Sequence, residues 1–314
     1  NILSKKYKTH CTQGNFNNHI GVPLTLLDIP EDCELAILEL GTNNPGEIAE
    51  LCKIAEPNYG LITNIGKEHL EGFGSLEAVA KEESELYLWL KENNHLAFVN
   101  ADDDHLSRMG SRLANKKMYS KSQLKDASLV PEISFKYQGE LVRSPLMGDY
   151  NLDNILAAIS LGEHFEVSKT DIISGIEEYK PDNNRSQLIK SGSNLILLDA
   201  YNANPSSMQK AIENFVKLEH KTKVLVLGDM FEMGSKAMEE HKALLQFVSH
   251  IGLKNVFLLG DHFAEVSGQQ GFKTFDSMED LGSEIQSKSY SEAAFLVKGS
   301  RGMKMERVLD YIKG

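Results

Sequence analysis

Several places in this chain of 314 residues put a chemically active side chain directly after a run of branched apolar residues. Glu39 closes "ELAILEL" before "GTNNPGE", and His69 follows "ITNI" within "ITNIGKEHLEGFG". Asp199 ends "NLILLDA" and leads into "YNANP", while Gly228 and Asp229 end "KVLVLGD". Open parallel sheets bind ligands beyond the carboxyl ends of their strands, so these are the expected places for chemistry. A carboxylate and an imidazole at the tips of sequence-neighbouring strands can face one site. With coordination positions left open, Glu39 and His69 suit Mg²⁺ or Mn²⁺ bridged to phosphate better than a closed structural zinc site. Each alone is ordinary, because most charged side chains are simply solvated. Their joint placement is the signal.

One apparent phosphate loop is a decoy. "GLITNIGKE" (60–68) imitates G-x-x-x-x-G-K-[ST], but five residues separate Gly60 from Gly66, and Glu68 replaces the hydroxyl. The spacing builds the amide cradle and the hydroxyl holds the metal, so neither function is met. The sequence contains no true phosphate loop.

The elements that must position these residues follow from hydrophobic pattern. "ELAILEL" (34–40) reads as a buried strand, followed by a helix starting near Pro45. "YGLITNI" (59–65) is the next strand, and "SLEAVAKEESELYLWLKEN" a helix with Ser75 as N-cap. "HLAFVN" (95–100) is a further strand, and "EISFKYQGELVRSPL" predicts a hairpin turning at Gln138-Gly139. "NLDNILAAISLGEHF" (151–165) predicts a helix. The polar "YKPDNNRSQ" (179–187) marks an interdomain boundary. Beyond it the alternation restarts, with strands in "NLILLDA", "KVLVLGD", "NVFLLGD" and "AAFLVKGS" and a closing helix in "MKMERVLDYIKG". Repeated strand–helix alternation predicts an α/β protein with mostly parallel sheets, its second half a smaller doubly wound domain.

Bulk composition narrows the class. Hydrophobic residues make up 41% and charged residues 25%, as in soluble globular proteins. No apolar stretch approaches the ~20 residues that span a bilayer, and no signal peptide is legible at "NILSKKYKTHC". Cys11, Cys33 and Cys52 show no metal-ligand spacing and predict reduced thiols in a cytoplasm. A net charge of −12 argues against nucleic acid as the main partner. Anionic small ligands remain compatible, since backbone amides and a few local cations can bind phosphate.

The motifs together resemble the Mur ligase family of peptidoglycan synthesis, and within it the dipeptide-adding MurF type. The segments are "GNFNNHIGVPLTLL", "LELGTNNPGEI", "ITNIGKEHLEGFGS", "GDYNLDNILAA", "NRSQ", "LDAYNANPSSM", "LGDMFEMG" and "VKGSRGMKMERVL", in order through nearly the whole chain. The resemblance implies a central, P-loop-like ATPase-type domain over 1–181, truncated at its start, and a smaller Rossmann-like C-terminal domain over 182–314. It implies an ATP-dependent ligase that activates the carboxylate of UDP-MurNAc-tripeptide as an acyl phosphate. The amine of D-Ala-D-Ala then attacks, releasing ADP and phosphate. Charge developing on the γ-phosphoryl group must be neutralised, chiefly by metal ions and positioned donors.

Carried over by motif, Glu39 and His69 are implied as Mg²⁺ ligands, and Asn151 and Asn154 as adenine contacts. Arg185 is implied as an ATP contact from the C-terminal domain, and Asp199 as the ribose partner. Asn15 and Asn18 of "GNFNN" would face the UDP-sugar-peptide. Asn202 and Asn204 of "YNANP", with Ser300 and Arg301, complete the substrate-binding candidates. Glu83 in "VAKEESELY" stands where many relatives carry a lysine, carbamylated in several, which implies it as ligand of the second metal. Asn44 and Tyr150 stand where many relatives have histidine. The family's UDP-binding domain and phosphate loop would precede "NILSKKYKTHCTQGN", so these 314 residues alone are expected to be inactive. Two other readings stay open: a sister ligase adding a diamino acid or glutamate, and a non-catalytic module descended from a ligase. Absence of the phosphate loop favours the module; joint retention of Glu39, His69, Arg185 and Asp199 favours a ligase.

Overall fold

Strand–helix alternation is what the chain builds. The structure, a computed structural model, describes residues 1–67, 70–129, 132–181, 185–268 and 271–312. It divides into two compact units: Asn1–Ala127 with Ser134–Ser144 and Tyr150–Tyr179, and Ser128–Ile133 with Pro145–Asp149 and Lys180–Gly314.

The N-terminal elements are β1 (Thr9–Cys11), α1 (Gly21–Leu27), β2 (Leu35–Ile37), α2 (Glu47–Ala55), β3 (Tyr59–Leu61), α3 (Leu70–Phe73) and α4 (Leu76–Glu92). They continue with β4 (Leu96–Asn100), α5 (Asp104–Gly110) and β5 (Lys116–Tyr119). β1 and β2 form a parallel pair, and β3, β4 and β5 a separate parallel sheet. The expected strand at 34–40 contracts to Leu35–Ile37 and is not buried: Ala36 and Ile37 are exposed. An apolar run signals a buried strand only where other elements cover both faces of its sheet. Among the described residues, β1 is the only strand paired with β2.

Ser75 caps α4 as its sequence position predicted, its side chain accepting from the Ala78 amide. From α4, Tyr87 and Leu90 pack with Ile62, Ala97, Val99 and Leu106 into the core over the second sheet. Next come β6 (Lys125–Ser128), β7 (Ile133–Tyr137) and β8 (Glu140–Ser144), which make a three-stranded sheet. The β7–β8 turn falls at Gln138-Gly139, with φ of 47° and 87°, the left-handed pair a two-residue hairpin needs. Helices α6 (Asp149–His164) and α7 (Lys169–Glu177) follow.

The C-terminal unit carries β9 (Gln187–Ser191), β10 (Asn194–Asp199), α8 (Pro205–Phe215), β11 (Thr222–Gly228), α9 (Ala237–Ile251) and β12 (Asn255–Leu259). It ends with α10 (Asp261–Ser267), β13 (Lys273–Phe275), α11 (Met278–Ser287) and β14 (Ala293–Lys298). Its six-stranded sheet has the order β13-β12-β11-β14-β10-β9, parallel except for β9 against β10. Every residue of β14 is buried, as a strand covered on both faces requires. The expected closing helix is instead two 3-10 stretches, Arg301–Met303 and Met305–Asp310. Lys304 between them sits at φ 50°, a left-handed conformation that an α-helix cannot pass through. Met305, Val308 and Ile312 still seal the core against Phe295 and Val297. No helix among the described residues is long and apolar enough to cross a membrane.

Candidate functional site

In the first unit the relevant edge lies beyond β1 and β2. Glu39 stands two residues past β2, exposed. Its backbone amide donates to Thr12 Oγ1 at 2.9 Å, and Asn17 Nδ2 donates to its Oε1 at 2.9 Å. The Asn17 carbonyl accepts from the Gly41 amide at 2.7 Å, so Asn17 grips both sides of the Glu39 turn. A Cβ on Gly41 would meet the Asn17 carboxamide and push that side chain from its place beside Glu39. Among the described residues the second carboxylate oxygen, Oε2, has no hydrogen-bond partner. A solvated carboxylate beside a hydroxyl is the hard-oxygen donor chemistry that Mg²⁺ takes. The donor set therefore fits that ion. Thr12 and Asn17 were not singled out from sequence, although both lie in or beside the "GNFNN" segment.

His69 lies outside the described residues, as do Glu68 and Asn184. The helix that starts directly after it, α3, is described. A Cβ on Gly72 of α3 would strike the carbonyl oxygen of Asn43, so α3 and the loop following Glu39 meet backbone to backbone. Glu47 closes that loop by accepting from the Asn43 and Asn44 amides at 2.7 and 3.1 Å. Partial burial opposes it, yet those bonds hold the Glu47 carboxyl below its ordinary pKa.

On α4 the buried carboxylate is Glu82 rather than its half-buried neighbour Glu83. Glu82 accepts from the Gly46 and Ile48 amides, both at 2.8 Å, and so caps α2 at the positive end of its dipole. Sequence reasoning missed this role because the partners lie more than thirty residues away. On α6, Asn151 is buried and Asn154 exposed, and Asn154 Nδ2 donates to Asn151 Oδ1 at 3.3 Å. Asn15 occupies an exposed turn. Asn18 uses its side-chain oxygen to accept from the Ile20 and Gly21 amides at 3.0 and 2.9 Å, fixing the start of α1.

In the second unit, three loops leave the carboxyl ends of the adjacent strands β10, β14 and β11. Asp199 and Lys298 are direct neighbours in register, and Lys298 Nζ donates to Asp199 Oδ2 at 2.6 Å. Lys298 is 2% exposed and also donates to the Asn202 carbonyl at 2.9 Å. Asp199 Oδ1 accepts from the Ser186 amide at 3.2 Å. Arg185, exposed, places its guanidinium 4.0 Å from the Tyr201 ring centroid. The expected ribose partner is thus a largely buried anion bound to a lysine. Asn204 is the N-cap of α8, in a reciprocal capping box with Ser207. Ser300 is buried, and its hydroxyl accepts from the Phe231 amide at 2.8 Å. Asn18, Asn204 and Ser300 hold the loops in place, whereas Asn202 and Arg301 present exposed side chains.

A second cluster joins Asp229, His241 and His262, whose potential ligand atoms lie within 4.8 Å of one another. Hydrogen bonds already engage these atoms. His241 Nε2 accepts from the Met230 amide at 3.0 Å, and Nδ1 pairs with the Ala237 carbonyl at 2.7 Å. Asp229 accepts from the His262 and Phe263 amides, both at 3.0 Å, capping α10. Since Nε2 accepts and Nδ1 donates, His241 has no lone pair left for a metal. Burial holds its pKa below the ordinary value, against the opposing pull of the Ala237 carbonyl and Asp229. The cluster is a clamp on the 229–233 loop.

Comparison with known proteins gives matches along nearly the whole chain. The Mur ligase middle domain matches residues 1–162, and the Mur ligase glutamate ligase domain residues 184–301. UDP-N-acetylmuramoyl-tripeptide–D-alanyl-D-alanine ligase of Bacillus subtilis is 35% identical, covering 98% of this chain and 70% of the relative. A crystal structure of MurF from Acinetobacter baumannii superposes with TM-score 0.86 at 28% identity, covering 98% of this chain and 71% of that one. MurF from Thermotoga maritima in complex with ADP gives TM-score 0.85 at 27% identity, covering 99% and 74%.

Proposed function

From the premise that this chain belongs to the Mur ligase family, we propose that it serves the ATP-dependent joining of D-Ala-D-Ala to UDP-MurNAc-tripeptide. The observation that carries this reading is the match over 98% of the chain to relatives bearing that activity's name. In the reaction a carboxylate oxygen attacks the γ-phosphorus and ADP leaves. The dipeptide amine then attacks the acyl carbon, loses a proton, and inorganic phosphate departs.

Glu39, with His69, is the proposed Mg²⁺ ligand pair, and Glu83 a further carboxylate toward a second ion. Bound there, the metal would neutralise charge on the phosphoryl group in flight. The described support is the backbone contact of Gly72 in α3 with Asn43 in the loop after Glu39. Thr12 and Asn17 aim Glu39 and keep one oxygen open. Asn151 and Asn154 are proposed to read adenine through the amide edges they share. Arg185 is proposed as an ATP contact, with Asp199 fixing the segment that carries it. Asn202 and Arg301, exposed on neighbouring loops, are the proposed donors to the incoming dipeptide.

The test is an acceptor comparison in the active protein. Phosphate release from ATP and UDP-MurNAc-tripeptide should require D-Ala-D-Ala. Turnover supported instead by a single diamino acid or by glutamate would move the protein to a sister activity.

A further inference from the structure

We propose that Lys298 is a positioning residue for both substrates of the C-terminal unit, a role resting on the ligase reading above. Its ammonium joins elements far apart in sequence. It sits at the end of β14, binds the Asp199 carboxylate at the end of β10, and binds the Asn202 carbonyl in the following loop. Through Asp199 Oδ1 the same linkage reaches the Ser186 amide, next to Arg185. Arg185 in turn lies over Tyr201 in the loop that Lys298 holds. Arg185, proposed for ATP, and Asn202, proposed for the dipeptide, therefore depend on one buried cation.

An apolar pair of similar volume would fill this space equally well, since burying two charges offsets much of their attraction. What an apolar pair lacks is direction. An ammonium must point its N–H bonds at particular oxygens, and here those oxygens belong to different elements. The backbone after Lys298 extends the linkage, because Ser300 donates its amide to the Asp229 carbonyl and accepts from the Phe231 amide. The three loops at the carboxyl ends of β10, β14 and β11 are thereby held as one surface.

The experiment compares K298M, K298R, D199N and D199N/K298M in the active protein, measuring kcat and both KM values alongside Ser186 and Ala203 amide resonances. K298M should raise KM for ATP and for D-Ala-D-Ala together, each by about tenfold or more, as displaced binding groups do. K298R should recover part of both, and the double variant should be no worse than K298M. The Ser186 and Ala203 resonances should move in K298M. A uniform loss of kcat with both KM values unchanged, or a shift in one KM alone, would overturn the proposal. If K298M does not fold, the double variant, which leaves no lone buried charge, answers the same question. Turnover of the active protein with a diamino acid or glutamate but not with D-Ala-D-Ala would sink the dipeptide-ligase reading, while the Ser186 and Ala203 resonances would still decide whether Lys298 orders both segments.

Discussion

The two units solve one problem in opposite ways. Each places a carboxylate at or just past the carboxyl end of a strand. Glu39 does so on a two-stranded ledge, exposed, with one oxygen tied and one open. Asp199 does so on an interior strand of a six-stranded sheet, one in from the edge, buried, with a lysine on one oxygen and an amide on the other. A ligand can reach the first without displacing much protein. The second is fixed before any ligand arrives. The lesson is that the same fold position yields a reactive group or an anchor according to how many strands flank it and what already fills the lone pairs.

The contrast can be broken most directly through stability. F295A empties a fully buried site in β14 and should cost about 3–5 kcal/mol. I37A, at a position 46% exposed on β2, should stay within about 0.5 kcal/mol. Denaturant melts of the two variants measure the difference; equal losses would erase the distinction between ledge and core. Next comes E39Q, which should lower turnover by about 100-fold or more, the scale of one lost electrostatic contact. Its melting curve should barely move, because the side chain is exposed. A large stability loss in E39Q would make Glu39 an anchor like Asp199.

Acid offers a smaller effect, confined to the C-terminal unit. His241 has a folded pKa below its ordinary value, so the unfolded chain takes up the proton first as pH falls. Stability from this clamp is present above about pH 6.5, the ordinary histidine value, and declines as pH drops below it. Melts across pH 7 to 5 should show that decline, and H241F should lack it. Another small change is expected of N17A, which removes a single exposed hydrogen bond to Glu39, worth about 0.5–1.5 kcal/mol. It should raise the metal concentration needed for half-maximal turnover while leaving KM for D-Ala-D-Ala unchanged.

Much of this was legible in the sequence because it is local. Apolar runs located the more apolar strands but not β1, β5, β6, β9 or β13, and the run at 59–65 held a strand only over Tyr59–Leu61; Ser75 announced its helix, and Gln138-Gly139 announced its turn. Glu39 and Asp199 stood out by following such runs. What stayed hidden depends on tertiary contacts. Lys298 meets Asp199 across 99 positions of sequence, and nothing near either residue names the other. Asn17 reaches Glu39 across 22 positions, and Glu82 caps α2 across 36 and 34. The closing segment misled for a local reason, since its helical periodicity concealed the left-handed Lys304.

The order of strands in the C-terminal sheet has a consequence for how the protein is made. β14 lies between β10 and β11, yet leaves the ribosome after both of them and after β12 and β13. Until it arrives, the half-sheets on either side expose apolar rims with unpaired backbone, the kind of edge that other nascent chains can capture. The unit closes last at its centre, so late synthesis, rather than early collapse, is its vulnerable moment.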